Sequence, residues 1–332
     1  KSKECLLCNK KLTSHCNSHI VPQFILKEIS DYCDAKVDKM GNIIAFKKGK
    51  NTPRYKVMLD AHLDEVGVII TNITESGMLL FDTVGGIETE TLLSKRVRFG
   101  NLLGVIGSKP IHQSSPDERK ALPKPDSLYI DIGATDKDDA LNYVSLGDIG
   151  TFASHWAELG ESLVRSKALD DRVGCAVLVS MIKSYDEYDF YATFTVQEEV
   201  GCRGSKTAAF AIAPDVSLTF DVTGTGDTAG SKPMAVKLGG GAAIKIKDAS
   251  VICDSEIVDK LARIAKEKGI KNQLEILLYG GTDTSSIQMT GSGCRAGAIS
   301  IPSRYIHSSV EMVDLKDAEA CRDLAVAFVN NY

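Results

Sequence analysis

The sequence predicts an α/β protein in which a mixed, mostly parallel sheet is sandwiched by helices and a small β-barrel module is inserted into the chain. Three observations carry this expectation. Apolar strand-like segments alternate with helix-period segments near the start and through the second half, the pattern of a sheet covered by helices on both faces. Between about Val66 and Ala157 the texture changes to short β-rich pieces separated by turn residues. The 332 residues also exceed what one core organises, since single cores stop growing near ~250–300 residues. Two domains follow, a main one at 1–65 and 158–332 and an insertion at 66–157.

The elements follow in order. From Ser18, HIVPQFILKEISDYC spaces its apolar residues helically, with Pro22 tolerated in a first turn, and VDKMGNIIAFKKGK reads as a hairpin turning at Gly41-Asn42. YKVMLDAH at 55–62 is an apolar strand that runs out at His62. The insertion contributes VGVIITNI, GMLLFDTV, RVRFGNLLGVIGS, SLYIDIG and GDIGTFA as strands and DKDDALNYV as a helix, while the polar, proline-bearing stretch 108–125 reads as a mobile loop. After Glu158 come helix DRVGCAVLVSMIKSY, strand DFYATFTVQ, helix SKTAAFAIA, strand VSLTFDV, helix DSEIVDKLARIAKEKG, strand GAISIP and helix LKDAEACRDLAVAFVNN.

Composition narrows the function classes. With 43% hydrophobic and 25% charged residues and a net charge of −5, the chain has no basic surplus with which to hold nucleic acid. Its longest apolar run, CAVLVSMI at 175–182, falls far short of the ~20 residues of a membrane span, and KSKECLLC lacks a signal-peptide apolar region, so a cytoplasmic protein with no membrane partner is expected. Nine cysteines, an odd number spread over the whole chain, argue against a disulfide framework. Cys5, Cys8, His15, Cys16 and His19 are donor types for a structural zinc, but they are crowded, and incidental cysteines on a helix and turn are the plainer reading.

Five segments carry metal-ligand chemistry at strand ends or helix starts: His62 and Asp64 in DAHLDEVG, Asp170 and Asp171 in ALDDRVG, Glu198 and Glu199 in VQEEVG, Asp221 in FDVTG, and His307 in YIHSSVE. Two histidines with several carboxylates suit a pair of borderline divalent ions, zinc or cobalt with manganese as a further candidate, sharing a bridging carboxylate. His62 and Asp64 leave an extended chain on one face, so the carboxylate can accept the second imidazole N–H and orient the ring. One of Asp170 and Asp171 serves as a helix cap, which leaves the other unexplained. Glu198 and Glu199 point to opposite faces and can divide binding from proton transfer. Each segment alone has a plain reading as a loop histidine, a cap or a solvated acid; the ordered combination is what carries weight.

With these residues in view the chain resembles the glutamyl aminopeptidase and tetrahedral aminopeptidase family of dinuclear metallopeptidases, some of which bear an endoglucanase label. VGGIETETLLSKRV, GVIGSKP, DIGATDKDDA, YGGTDTSSIQ and IPSRYIHSSVE all look like that family's text. The 108 residues separating His62 from Asp170 leave room for the β-rich insertion, which favours this branch over related carboxypeptidases and deacetylases. The resemblance implies a zinc-aminopeptidase-like fold and two divalent ions per subunit. It implies that Asp170 bridges them, that Glu199 and His307 complete one site, that His62 and Asp221 complete the other, and that Glu198 is the general base. It also implies that the insertion makes dimer contacts and that dimers assemble into tetrahedral dodecamers. The chain departs from the family at 11–16, where a Pro-Gly-x-Ser-Gly turn is usual, and at Ser308-Ser309, where Ser-Pro is usual.

The expected activity is removal of N-terminal residues from peptides by water attack. Asp64 assists as an orienting residue, and Gly280, Gly281, Thr282 and Asp283 line the substrate site, where glycines permit close backbone approach; an ordinary turn explains the same four residues. Two rivals remain: a glycoside hydrolase using Glu198 with a second acid, which needs no histidine, and a catalytically silent assembly protein.

Overall fold

The computed structural model describes residues 20–331, so the cysteine and histidine cluster at 5–19 and the departure at 11–16 lie outside the described residues. Helix α1 (Ile20–Ile29) buries Ile25 and Ile29, and strands β1 (Asp34–Val37) and β2 (Ile43–Lys47) pair antiparallel from Val37 opposite Ile43. One carboxylate oxygen of Asp38 accepts the backbone N–H groups of Met40, Gly41 and Asn42, and Gly41 takes the positive φ of 102° that closes this turn. Strand β3 (Val57–His62) follows, buried along its whole length.

The chain then forms a closed antiparallel barrel from β4 (Gly67–Ile73), β5 (Leu79–Val84), β6 (Arg96–Phe99), β7 (Leu102–Gly107), β8 (Tyr129–Asp131) and β9 (Ile149–Phe152), in the order β4-β5-β8-β7-β6-β9. Alternation along the strands sends Val68, Ile70, Leu79, Val97, Ile106, Ile130 and Phe152 into one apolar centre. Gly150 is there because a Cβ would stand 2.7 Å from the Phe99 ring. Short helices α2 (Thr89–Leu92) and α3 (Lys137–Leu141) complete this unit, and Asp136 caps α3 by accepting from the Asp139 N–H. The stretch expected as a loop, 108–125, holds short 3-10 turns at Ile111–Gln113 and Glu118–Lys120. The unit comprises Glu65–His155 together with His307–Val310.

The rest of the chain forms the second unit. It contains β10 (Ala157–Leu159), β11 (Leu163–Ser166), α4 (Leu169–Ser184), β12 (Phe190–Thr195), α5 (Arg203–Ile212), β13 (Val216–Gly224), β14 (Ala242–Lys247), α6 (Ser255–Lys268), β15 (Asn272–Ile276), α7 (Thr284–Gln288), β16 (Arg295–Arg304), β17 (Glu311–Asp314) and α8 (Leu315–Val329). Its sheet runs β1-β2-β12-β3-β13-β16-β17-β11-β10, with β14 and β15 branching from β16. Parallel pairing occupies the centre, β12-β3-β13-β16, and recurs between β14 and β15. On the flanks the tight β1–β2 and β10–β11 turns and the short link from β16 to β17 leave no room for a crossover, so those neighbours pair antiparallel; β2 with β12 and β11 with β17 pair antiparallel as well.

Both faces are covered. Leu59, Ala61, Phe194, Leu218 and Phe220 pack with α4, α6 and α8, whereas Met58 on the other face meets Ala208, Ala209 and Ile212 of α5 and Ile287 of α7. Helix boundaries obey local chemistry: Asp254 caps α6 by accepting from Glu256 and Ile257, Gly269 ends it at a φ of 66°, and Asp314 caps α8 through Lys316. No helix among the described residues is long and apolar enough to cross a membrane. The six described cysteines are free thiols.

Candidate metal centre

Register decides which side chains meet. Thr195 lies opposite His62 and Thr193 opposite Asp60 between β12 and β3, Thr219 lies opposite Asp60 between β3 and β13, and Asp221 lies opposite Ser300 between β13 and β16. Continuing the parallel register by two residues brings Asp221 level with His62. On the sheet face away from the main core, Thr195, His62, Asp221 and Ser300 therefore form one polar row near the carboxyl ends of the central strands, where α/β sheets gather their ligands.

His62 is 2% exposed. Its Nδ1 stands 3.2 Å from the Asp64 carbonyl oxygen and 3.6 Å from Asp64 Oδ1, and its Nε2 stands 3.1 Å from Asp170 Oδ1 and 3.8 Å from Asp221 Oδ1. Acceptors surround both nitrogens. With Nδ1–H donating to Asp64, a neutral ring would turn the Nε2 lone pair toward carboxylate oxygens, which is stable only with a proton or a cation between them. Burial favours the neutral ring, but the Asp170, Asp64 and Asp221 carboxylates outweigh it and raise His62 well above its ordinary value. The Cys175 thiol, buried on α4, donates to the His62 carbonyl at 3.0 Å and fixes the strand end.

The adjacent aspartates at the start of α4 are split by their backbone. Both have non-helical dihedrals, and the regular helix begins after them. Asp171 Oδ1 accepts the Gly174 N–H at 3.1 Å, the capping bond; Gly174 is glycine because a Cβ there would stand 2.4 Å from that carboxylate. Asp171 Oδ2 is buried with no hydrogen-bond partner among the described residues. Asp170 donates its backbone N–H to buried Glu311 at 3.0 Å while its carboxylate meets His62. Burial first, then neighbouring carboxylates, push Asp171 and Asp221 well above the usual carboxylate range.

The second strand end supplies the glutamates. Asp64 accepts the Glu198 N–H on Oδ1 at 3.1 Å and the Glu199 N–H on Oδ2 at 3.2 Å, so it grips their backbone more closely than it grips the imidazole. Burial raises Asp64, yet His62 and those two N–H groups hold it below the usual carboxylate value. Glu198 is pushed up to about 8, by burial and by the acids around it, Asp283, Glu199 and Asp170, against the lowering influence of His62. Its Oε1 accepts from the Cys202 thiol at 3.3 Å, a thiol that burial and Glu198 itself hold protonated.

Ligand atoms come within 4.8 Å of one another in three groups: His62, Asp171 and Asp221; His62, Asp170 and Glu199; and Glu198, Cys202 and Asp283. The first two share His62 and combine one imidazole with several carboxylates, a donor set suited to borderline divalent cations. The partnerless oxygen of Asp171 and the acceptor-ringed imidazole fit a positive charge at that position. His307, in the barrel unit, has a φ of 59° and lies 2.5 Å from the Gly86 carbonyl through Nδ1. A carbonyl only accepts, so Nδ1 carries the proton and Nε2 is the nitrogen with a lone pair.

Gly280 and Gly281 are exposed at a turn where Gly280 has a φ of 73°, whereas Thr282 and Asp283 are buried. Each Asp283 oxygen accepts a hydroxyl proton, from Thr195 and Ser205 at 2.6 Å each, which ties this carboxylate to β12 and α5. Sequence reasoning passed over Asn42, Cys202 and Glu311. Glu311 lies in the quoted segment YIHSSVE, but nothing in its neighbours marks it as buried against Asp170.

Comparison with known proteins agrees with this architecture. The model of the M42 glutamyl aminopeptidase family matches residues 41–324. A putative aminopeptidase of Acetivibrio thermocellus is 46% identical over 91% of this chain and 90% of its own. An aminopeptidase structure from the archaeon Desulfurococcus kamchatkensis superposes with a TM-score of 0.89 at 38% identity, covering 95% of this chain and 90% of that one. The Pyrococcus horikoshii TET1 peptidase, described as assembling into a tetrahedron or a large octahedral shell, superposes with a TM-score of 0.82 at 36% identity, covering 92% of both chains. The chain belongs to the M42 glutamyl aminopeptidase family.

Proposed function

We propose that this M42-family peptidase is a dinuclear metal-dependent aminopeptidase that removes N-terminal residues from peptides. The observation that carries the reading is the His62 imidazole, buried with acceptors at both nitrogens and with Asp64, Asp170, Asp171, Glu199 and Asp221 around it. His62 and Asp221 would hold one divalent ion and Glu199 and His307 the other, with Asp170 available to both; Asp171 lies beside His62 and Asp221. Zinc and cobalt fit the nitrogen and oxygen donors, and manganese fits the carboxylates. When bound, such ions acidify a water and polarise the scissile carbonyl.

The chain's own residues do the rest. Glu198, raised by burial and held by Asp64 through its backbone, takes the proton of the attacking water and returns it to the leaving amine. Asp64 fixes the angle between base and ligand, because one carboxylate binds both backbone N–H groups. Peptides are the substrates. By analogy with the P. horikoshii assembly, the protein associates with itself, the barrel unit forming a dimer contact and the dimers a closed shell.

Glu198→Gln should lower peptide turnover by ~10²–10⁴ while elemental analysis still finds two ions per chain. Near wild-type turnover in that variant sinks the assignment of the base. Peptide hydrolysis that survives exhaustive chelation sinks the metal reading, and glycoside hydrolysis that survives it favours a carboxylate-only hydrolase.

A further inference from the structure

The segment between β12 and α5 carries both glutamates, and its two ends are held by one side chain from elsewhere in the fold. Asp283 Oδ2 accepts the Thr195 hydroxyl, the last residue of β12, and Asp283 Oδ1 accepts the Ser205 hydroxyl in the first turn of α5, each at 2.6 Å. Each hydroxyl has one proton to give, so these short bonds outrank the longer alternatives to Ala61 and Cys202 carbonyls at 3.3 and 3.1 Å. Ser286 backs the grip, its hydroxyl 2.5 Å from that of Ser205.

Two plainer roles for Asp283 do not fit. It precedes α7, but its side chain makes no capping bond to that helix. It is 1% exposed and each oxygen already accepts a hydroxyl proton, which ties it into the fold rather than turning it out toward solvent. A carboxylate buried within 4.8 Å of Glu198 is electrostatically costly, and an apolar side chain of similar volume would cost the fold less. What an apolar residue cannot do is grip two hydroxyls at opposite ends of a turn.

Resting on the reading of Glu198 as base, we infer that Asp283 is a positioning residue, which fixes where the Glu198 carboxylate stands by tying Thr195 to Ser205. The turn between them is also closed by backbone bonds, such as Gly204 N–H to Val196 O at 3.0 Å, by Asp64, which accepts the Glu198 and Glu199 N–H groups, and by Asn42, which accepts from Val196 N–H and donates to Gly204 O at 3.0 Å each. Asn42 holds the backbone of the turn, and Asp283 sets the spacing of its roots. Loss of that spacing shifts Glu198 by a fraction of an ångström or more, and displacements near 1 Å cost up to ~10²-fold in rate.

The test is a double-mutant cycle read as kcat, KM and bound metal. Asp283→Ala should lower kcat by ~10–100-fold with KM and metal content unchanged, and Asp283→Asn by less, because the carboxamide keeps one acceptor. In the Glu198→Gln background Asp283→Ala should cost less than about twofold, since the group it positions is gone. An equal loss in both backgrounds, a loss of metal, or an unchanged kcat overturns the inference. If Asp283→Ala does not fold, Thr195→Val and Ser205→Ala remove the grip from the other side and must reproduce the kcat loss; Ile264→Val, at a buried position of α6, serves as the control for mild destabilisation. Should Glu198→Gln alone keep its turnover, the base assignment falls and the inference with it; unchanged kcat in Asp283→Ala alongside a dead Glu198→Gln overturns only the inference.

Discussion

The barrel and the centre of the large sheet solve burial in opposite ways. Inside the barrel the strands send in Val68, Ile70, Leu79, Ile106, Ile130 and Phe152, and Thr151 is the one buried polar residue among the described barrel strands. At the centre of the sheet one face is apolar throughout, while the other is apolar around Met58 and polar toward the strand ends. The latter carries Asp60, His62, Thr193, Thr195, Thr219 and Asp221, all at or below 5% exposure. Buried ionisable groups are costly unless paired, so their concentration on one face near the strand ends marks where the fold gives up stability for chemistry. The interior of the barrel shows what the same chain does when only packing is at stake.

Asp64→Ala tests the polar region most severely. It strips the acceptor from two backbone N–H groups, each loss costing ~1–3 kcal/mol where buried, and it should lower kcat/KM by ~10–100-fold with weakened metal binding. Full activity with full metal content would show that the glutamate turn holds itself. Ile130→Ala should do the reverse in the barrel: a loss of ~2–5 kcal/mol in denaturant unfolding with kcat per folded molecule unchanged. A fall in kcat would break the separation between a packing region and a chemical one.

The smallest effect is in pH. Asp171 and Asp221 are raised well above the ordinary 3.8, so without metal the folded state binds protons that the unfolded state has released. That contribution is largest at low pH and is lost as pH climbs from about 4 through the raised values. Bound cations reverse the penalty by stabilising the charged forms. Chelation should therefore lower the melting temperature by more at pH 8 than at pH 5, by a few degrees given ~2–4 °C per kcal/mol for a chain of this size. An equal drop at both pH values would mean that these acids do not face the metals.

Legibility in the sequence followed element length together with the turn residues around each element. Strands of six or more apolar residues and helices of ten or more, such as β3, β13, α4, α6 and α8, were readable from periodicity, and so was the change of texture that precedes the barrel. The four-residue β11 and β17, the three-residue β10, the five-residue α7 and β15 and the six-residue β14 were not, whereas the equally short β6, β8 and β9 were, because turn residues set them off on either side. The parallel character read from alternating elements holds for the sheet's centre, while its antiparallel flanks depend on links too short to announce themselves. Of the paired aspartates, the capping role was legible and Asp171 takes it; which oxygen would remain without a partner was not.

The sequence by itself determined parity: which residues of a strand share a face, which acid starts a helix, which segment is apolar enough to be buried. Those properties are local, set by backbone repeats of two and 3.6 residues. Only the tertiary structure decided that Asp283 grips Thr195 and Ser205 across 78 residues or more, and that Glu311 takes the Asp170 N–H across 141. Such contacts depend on strand order, register and the placing of connections, which arise when distant segments pack together and which no local pattern encodes.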